Sequence, residues 1–169
     1  MTIKAFSAVL LALAMLAGCA QAPAGGERQY LLPAAGQPAA SDRLNVRVRV
    51  AGYLDQGGLV LQTGATTLTS ARLHRWAEPL PRQLERALTH HLAGRDVAGT
   101  LNVRVTRFQG SANGDARVSG GWHYQGNDGA RAEGIFDQRQ ALRHDGYEEL
   151  VDRLDAAWAV VAAGIGAEL

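Results

Sequence analysis

The sequence predicts an α+β fold of two layers: a mainly antiparallel sheet of about six strands, in the order βββα-βββα, with two amphipathic helices packed on one face. Three observations carry this expectation. Residues 44–50 and 101–105 alternate apolar and polar side chains with a period of two, the mark of strands with one buried and one wet face. Residues 80–92 and 147–165 instead repeat their apolar side chains at helical spacing. The 169 residues are 47% hydrophobic, enough for one core, and a single cysteine excludes both an internal disulfide and a Cys-based zinc site.

The elements follow in order. Residues 1–18 read as a lipoprotein signal peptide, with Lys4 as the positive region and Ala5 to Leu16 as a nearly unbroken apolar stretch. That stretch falls short of the about 20 residues a comfortable transmembrane helix needs. Leu16-Ala17-Gly18-Cys19 resembles a bacterial lipobox, which would make Cys19 an acylated N-terminus, and two or more acyl chains anchor a protein stably. Ala20 and Gln21 follow, without the Asp that retains lipoproteins in the inner membrane in enteric-type sorting. The expected location is therefore the periplasmic face of the outer membrane. Residues 19–41, rich in Ala, Gly, Pro and Gln, read as the lipidated N-terminus and a flexible tether. Within it Tyr30-Leu31-Leu32 is apolar enough to dock as a short edge strand. If it docks, the free tether from Cys19 to Gln29 reaches at most about 35 Å at ~3.5 Å per residue.

Residues 42–169 form the single α+β domain. Leu44, Val46, Val48 and Val50 alternate with Asn45, Arg47 and Arg49 as its first strand. Leu59 to Gln62 and Thr66 to Ser70 are β-prone and separated by Gly64. Pro79 and Pro81 open a helix whose Leu80, Leu84, Ala87, Leu88 and Leu92 share a face, and Gly94 stands where a helix-ending glycine belongs. Leu101, Val103 and Val105 then alternate with Asn102, Arg104 and Thr106, and Phe108 continues the apolar face. Val118, Gly120, Trp122 and Tyr124 form the inward side of the next strand, and Gly126-Asn127-Asp128-Gly129 signals a hairpin. Ala130 to Leu142 is the last strand, its inward face left open by the Ile135-Phe136 pair. Asp145 with Glu148 suggests a capping box for the terminal helix, whose stripe runs through Tyr147, Leu150, Val151, Leu154, Trp158, Val161 and Ile165. The pentapeptide at Leu44–Val48 recurs at Leu101–Val105, through either internal duplication or convergence on the simplest arginine-rich strand.

Chemistry is sparse. With 17 basic and 16 acidic residues the chain lacks the charge a nucleic-acid binder needs, so no nucleic-acid partner is expected. Neighbouring His90 and His91 do not share a helix face, and neither a His-Glu-x-x-His motif, a Gly-x-Ser-x-Gly elbow nor a phosphate-binding loop is present. Catalytic, cofactor-binding and metal-ligating residues are accordingly not assigned, and no cofactor is expected beyond covalent acyl chains on Cys19, palmitate among them. Glu148, Glu149, Asp152 and Asp155 read as a solvated helix face on which Glu149 pairs with Arg153. Arg47, Arg49 and Arg104 share an outward face that suits anionic lipid head groups or an acidic partner, or serves solubility.

Tyr53-Leu54-Asp55 after the first strand, the segment Leu73-His74-Arg75-Trp76-Ala77-Glu78-Pro79-Leu80, the early Tyr30-Leu31-Leu32 and the lipobox together resemble the ABC-type transport auxiliary lipoprotein family of the PqiC/YmbA type. The resemblance implies a non-enzymatic auxiliary component of an MCE/ABC-type intermembrane lipid transport system that contributes to envelope integrity. It further implies partnership with an MCE-domain tunnel protein, contact with lipid, and a ring-like homo-oligomer. Cys19 would be the anchor, and Tyr53, Arg75 and Trp76 the motif positions offered to a partner. The alternative is an LptE-like lipoprotein that assists or plugs an outer-membrane β-barrel.

Overall fold

The computed structural model describes residues 26–38 and 43–169. The leader and Cys19 lie outside them. Among the described residues seven strands form one open sheet: β1 (Arg28–Tyr30), β2 (Leu44–Val50), β3 (Gly58–Gln62), β4 (Leu68–Trp76), β5 (Gly99–Ser111), β6 (Asp115–Gly126) and β7 (Arg131–Ala141). Helix α1 (Leu80–His91) separates β4 from β5, and α2 (Tyr147–Glu168) closes the chain. The α+β class and the βββα-βββα order stand, with β1 added in front.

The sheet runs β1-β4-β3-β5-β6-β7, with β2 also paired to β5. It is mixed in direction. The long β5-β6-β7 meander and β3-β4 are antiparallel, whereas β1-β4, β2-β5 and β3-β5 are parallel. The two copies of the pentapeptide sit on neighbouring parallel strands displaced by two residues, since Val46 pairs with Leu101 and Val48 with Val103. Asn127 to Gly129 make the β6-β7 turn, with Gly129 at the positive φ such a turn requires.

The core lies between the sheet and both helices. Trp158 is its hub, fully buried, donating its indole N–H to the Leu84 carbonyl of α1 at 3.2 Å and meeting Phe108 of β5 and Phe136 of β7 edge-on. Phe108 faces inward because a bulge between Val105 and Arg107 shifts the alternation by one residue. Phe136 also turns inward and leaves Ile135 92% exposed on the other side. Gly120 makes room for it, since a Cβ there would lie 2.6 Å from the Phe136 ring.

Three expectations need correction. The strand expected over Thr66 to Ser70 is β4 and runs from Leu68 on to Trp76, so Arg75 and Trp76 end a strand. The terminal helix is capped by Gly146, and Asp145 makes no capping bond. Glu149 is 2% exposed and not on a solvated face. Tyr30 does dock as a short edge strand, as the apolar triplet allows: β1 pairs with β4, and Pro33–Gly36 form a 3-10 turn over the helices. Side chains hold that segment by its backbone. Gln83 accepts the Leu32 N–H at 2.8 Å, Asp155 accepts the Ala34 N–H at 3.2 Å, and Arg86 donates to the Ala35 carbonyl at 3.0 Å. Peptide groups covered by two helices need such partners, because an unpaired buried N–H costs about as much as a lost hydrogen bond.

Candidate functional site

The residues singled out from the sequence brace one connection, the Gly52–Leu54 3-10 turn and the loop that follows it into β3. Strand β5 is long enough to take β2 along its first half and β3 at its end, on the same edge. Tyr53 fills the gap between them. Its hydroxyl shares one proton between the Thr106 carbonyl at 2.7 Å and Gln109 Oε1 at 2.8 Å, while the Gln109 amide donates to Gln62 Oε1 at 3.2 Å. Burial pushes the Tyr53 phenol above its ordinary pKa, against the opposing pull of Arg107. From the other side, the Arg75 guanidinium lies over Gly57, which is held at φ +79°, and the Trp76 N–H donates to the Gly57 carbonyl at 2.8 Å. Trp76 is buried against Phe108, with ring centres 6.0 Å apart. Arg75 stays partly exposed beside a hollow of about 310 Å³ that Asp55, Gln56, Glu78 and Pro79 also line. The structure thus brings Arg75 and Trp76 to one place and sends the Tyr53 side chain to β5. Cys19 lies outside the described residues.

Two arrangements were not foreseen. The first surrounds Glu149. Arg143 bonds its carboxylate at 3.2 Å through two guanidinium nitrogens and at 3.0 Å through its own backbone N–H, and Arg153 adds a 2.7 Å contact to Oε1. The pairing with Arg153 was expected; the Arg143 loop that covers it was not. The Arg143 bonds, helped by Arg153 and opposed by burial, lower the Glu149 pKa to about 2. This network fastens the β7-α2 connection onto the first turn of α2. The second is the face of the sheet that the helices leave open. Arg47 and Arg49 of β2, Asn102 and Arg104 of β5, Gly121 and His123 of β6, and Glu133 and Ile135 of β7 surround an open groove of about 860 Å³. A sequence signal existed for half of it, the alternation that put Arg47, Arg49 and Arg104 outward. The β6 side follows from the alternation that turns Trp122 and Tyr124 inward, and the β7 side required knowing which of Ile135 and Phe136 turns in.

The histidines serve separate local roles. His74 accepts or donates a 2.8 Å bond with the Tyr30 hydroxyl and stacks on Tyr147, His90 meets the Pro38 carbonyl at 3.0 Å, and His123 lies 3.7 Å from Glu133. Burial lowers the pKa of His91. Among the described residues no group of three or more His, Cys, Asp or Glu side chains is placed to hold a metal ion, and no helix is long and apolar enough to cross a membrane.

Comparison with known proteins agrees with the whole architecture. The chain is 33% identical to the intermembrane transport lipoprotein PqiC of Escherichia coli K12, and equally to that of Shigella flexneri, over 95% of both chains. The crystal structure of an uncharacterized protein, 30% identical, superposes with a TM-score of 0.75 over 85% of this chain and 98% of its own. A Xanthomonas campestris protein, 16% identical, shares the fold with a TM-score of 0.64 over 84% of this chain and 90% of its own. The model of the ABC-type transport auxiliary lipoprotein component matches residues 30–166, from the docked β1 to the last turn of α2, and the chain belongs to that family.

Proposed function

We propose that this protein is a non-enzymatic auxiliary component of an MCE/ABC-type intermembrane lipid transport system, anchored by acyl chains on Cys19 to the periplasmic face of the outer membrane. The observation that carries the reading is its likeness to an intermembrane transport lipoprotein over 95% of both chains. The lipobox at Leu16 to Cys19 supports the anchor. Docking of β1 limits the tether to the residues before Arg28, so the domain stays within a few tens of ångströms of its membrane. At that position it receives or steadies the outer end of a tunnel built by an MCE-domain protein, as a homo-oligomer, and contributes to envelope integrity. Arg75 is the motif side chain offered to a partner, with Tyr53 and Trp76 holding the loop beneath it.

Crosslinking of the lipidated protein in its own envelope, followed by affinity capture and mass spectrometry, tests this. Recovery of an MCE-domain protein is the expected result. Recovery of an outer-membrane β-barrel with no MCE-domain protein would overturn it in favour of an assembly role.

A further inference from the structure

We propose that the groove on the helix-free face of the sheet binds the headgroup of an anionic phospholipid, with Arg47, Arg49 and Arg104 on its phosphate and Ile135 against its apolar part. The assignment deepens the transport reading and rests on it for the supply of phospholipid.

The argument begins with the register. Arg49 of β2 stands directly opposite Arg104 of β5, and Arg47 points out from the same face two residues earlier. Like charges facing each other across a strand pair destabilise a sheet. Some exposed arginines of this chain are paired with acids, Arg43 with Asp96, Arg139 with Asp115 and Arg28 with Glu148, and others without such a partner among the described residues, Arg72, Arg107 and Arg131 among them, do not line the groove. Arg47, Arg49 and Arg104 have no acidic side chain within salt-bridge distance among the described residues. Glu133, the one acid lining the groove, is turned to His123. The guanidinium forks are therefore free to bond phosphate oxygens in pairs, the geometry in which arginine exceeds lysine.

The rest of the groove explains why the phosphate belongs to a lipid. Arg49, Arg104, Gly121 and Ile135 form one row across four strands. Gly121 keeps the floor beside Arg104 low, and Ile135, 92% exposed, supplies an apolar wall at the far end. A site for free phosphate has no use for an exposed isoleucine two strands beyond its cations, whereas an amphiphile has a use for both. The volume of about 860 Å³ suits a headgroup with the start of its chains and exceeds what a bare phosphate fills.

The test uses full-length protein purified in nonionic detergent, with no transporter chain present, so lipid binding is read independently of the partner reading. Binding is read by isothermal titration calorimetry, because the three tryptophans, Trp122 among them, are buried in the core and none faces the groove. A saturable heat change with dioctanoyl phosphatidylglycerol is expected, at least tenfold tighter than with dioctanoyl phosphatidylcholine. Arg49→Ser with Arg104→Ser should weaken it at least tenfold without lowering the melting temperature, because a like-charge contact is relieved. Ile135→Ser, which removes a side chain with almost no packing, should weaken lipid binding and leave any response to inorganic phosphate unchanged. Equal affinity for both lipids, or for inorganic phosphate alone, would overturn the assignment, as would unweakened binding by the folded arginine or isoleucine variant.

Discussion

Replacing Trp158 by Ala removes the side chain on which three elements meet. The indole is fully buried, bonded to the Leu84 carbonyl and edge-on to Phe108 and Phe136. A large aromatic takes roughly 200 Å² out of water, and at ~25 cal/mol per Å² that is about 5 kcal/mol. The unfolded chain already hides part of this area, which trims the figure by roughly 10–40%, while the lost hydrogen bond adds about 1 kcal/mol. An expected loss of ~4 kcal/mol results, inside the ~3–5 kcal/mol range of large-to-small aromatic truncations in cores. For a chain of this size each kcal/mol shifts the midpoint by about 2–4 °C, so the melting temperature should fall by ~8–16 °C. Thermal unfolding followed by circular dichroism, with urea titration as a second measure, reads it. A shift under ~2 °C would refute the placement of the α2 stripe against the sheet, because an unpacked or water-facing indole is the only way to lose so little.

Further expectations bear on the connections and the anchor. The folded-state pKa of Glu149, about 2, lies below its ordinary 4.5, so its contribution is complete above that ordinary value and is lost as pH falls toward 2. Melting temperatures measured between pH 6 and pH 2.5 should fall more steeply for the natural protein than for Glu149→Gln, and parallel curves would remove the network from the stability of this connection. Tyr53→Phe strips the hydroxyl from Thr106 and Gln109 and should cost about 1–2 kcal/mol in urea unfolding; an unchanged midpoint would mean that water replaces it freely. Cys19→Ala should leave the protein soluble or held by its uncleaved leader, and its persistence in the outer-membrane fraction would contradict acylation at that residue.

Local order in this protein was legible without coordinates. Alternation at Leu44–Val50 and the stripe from Tyr147 to Ile165 arise from which side of a strand or helix a side chain leaves, a property of successive residues in one segment. The β6-β7 hairpin was equally plain, because its turn chemistry is written in four adjacent residues, Gly126 to Gly129. So was the outward set of Arg47, Arg49 and Arg104. What only the tertiary structure decided depends on segments far apart in the chain. Parallel pairing of β2 with β5 places Arg49 against Arg104, which no periodicity within either strand contains. The bulge at Thr106 turns Phe108 inward through the partner register of β6. Glu149 sits within the acidic start of a helix and reads as solvated until the Arg143 loop folds back over it. Tyr30 docks because β4 runs on to Trp76 and offers it an edge. Periodicity determines which face of an element wants to be buried, but the free energy of burying it depends on what arrives opposite, and that is settled only when the whole chain packs at once.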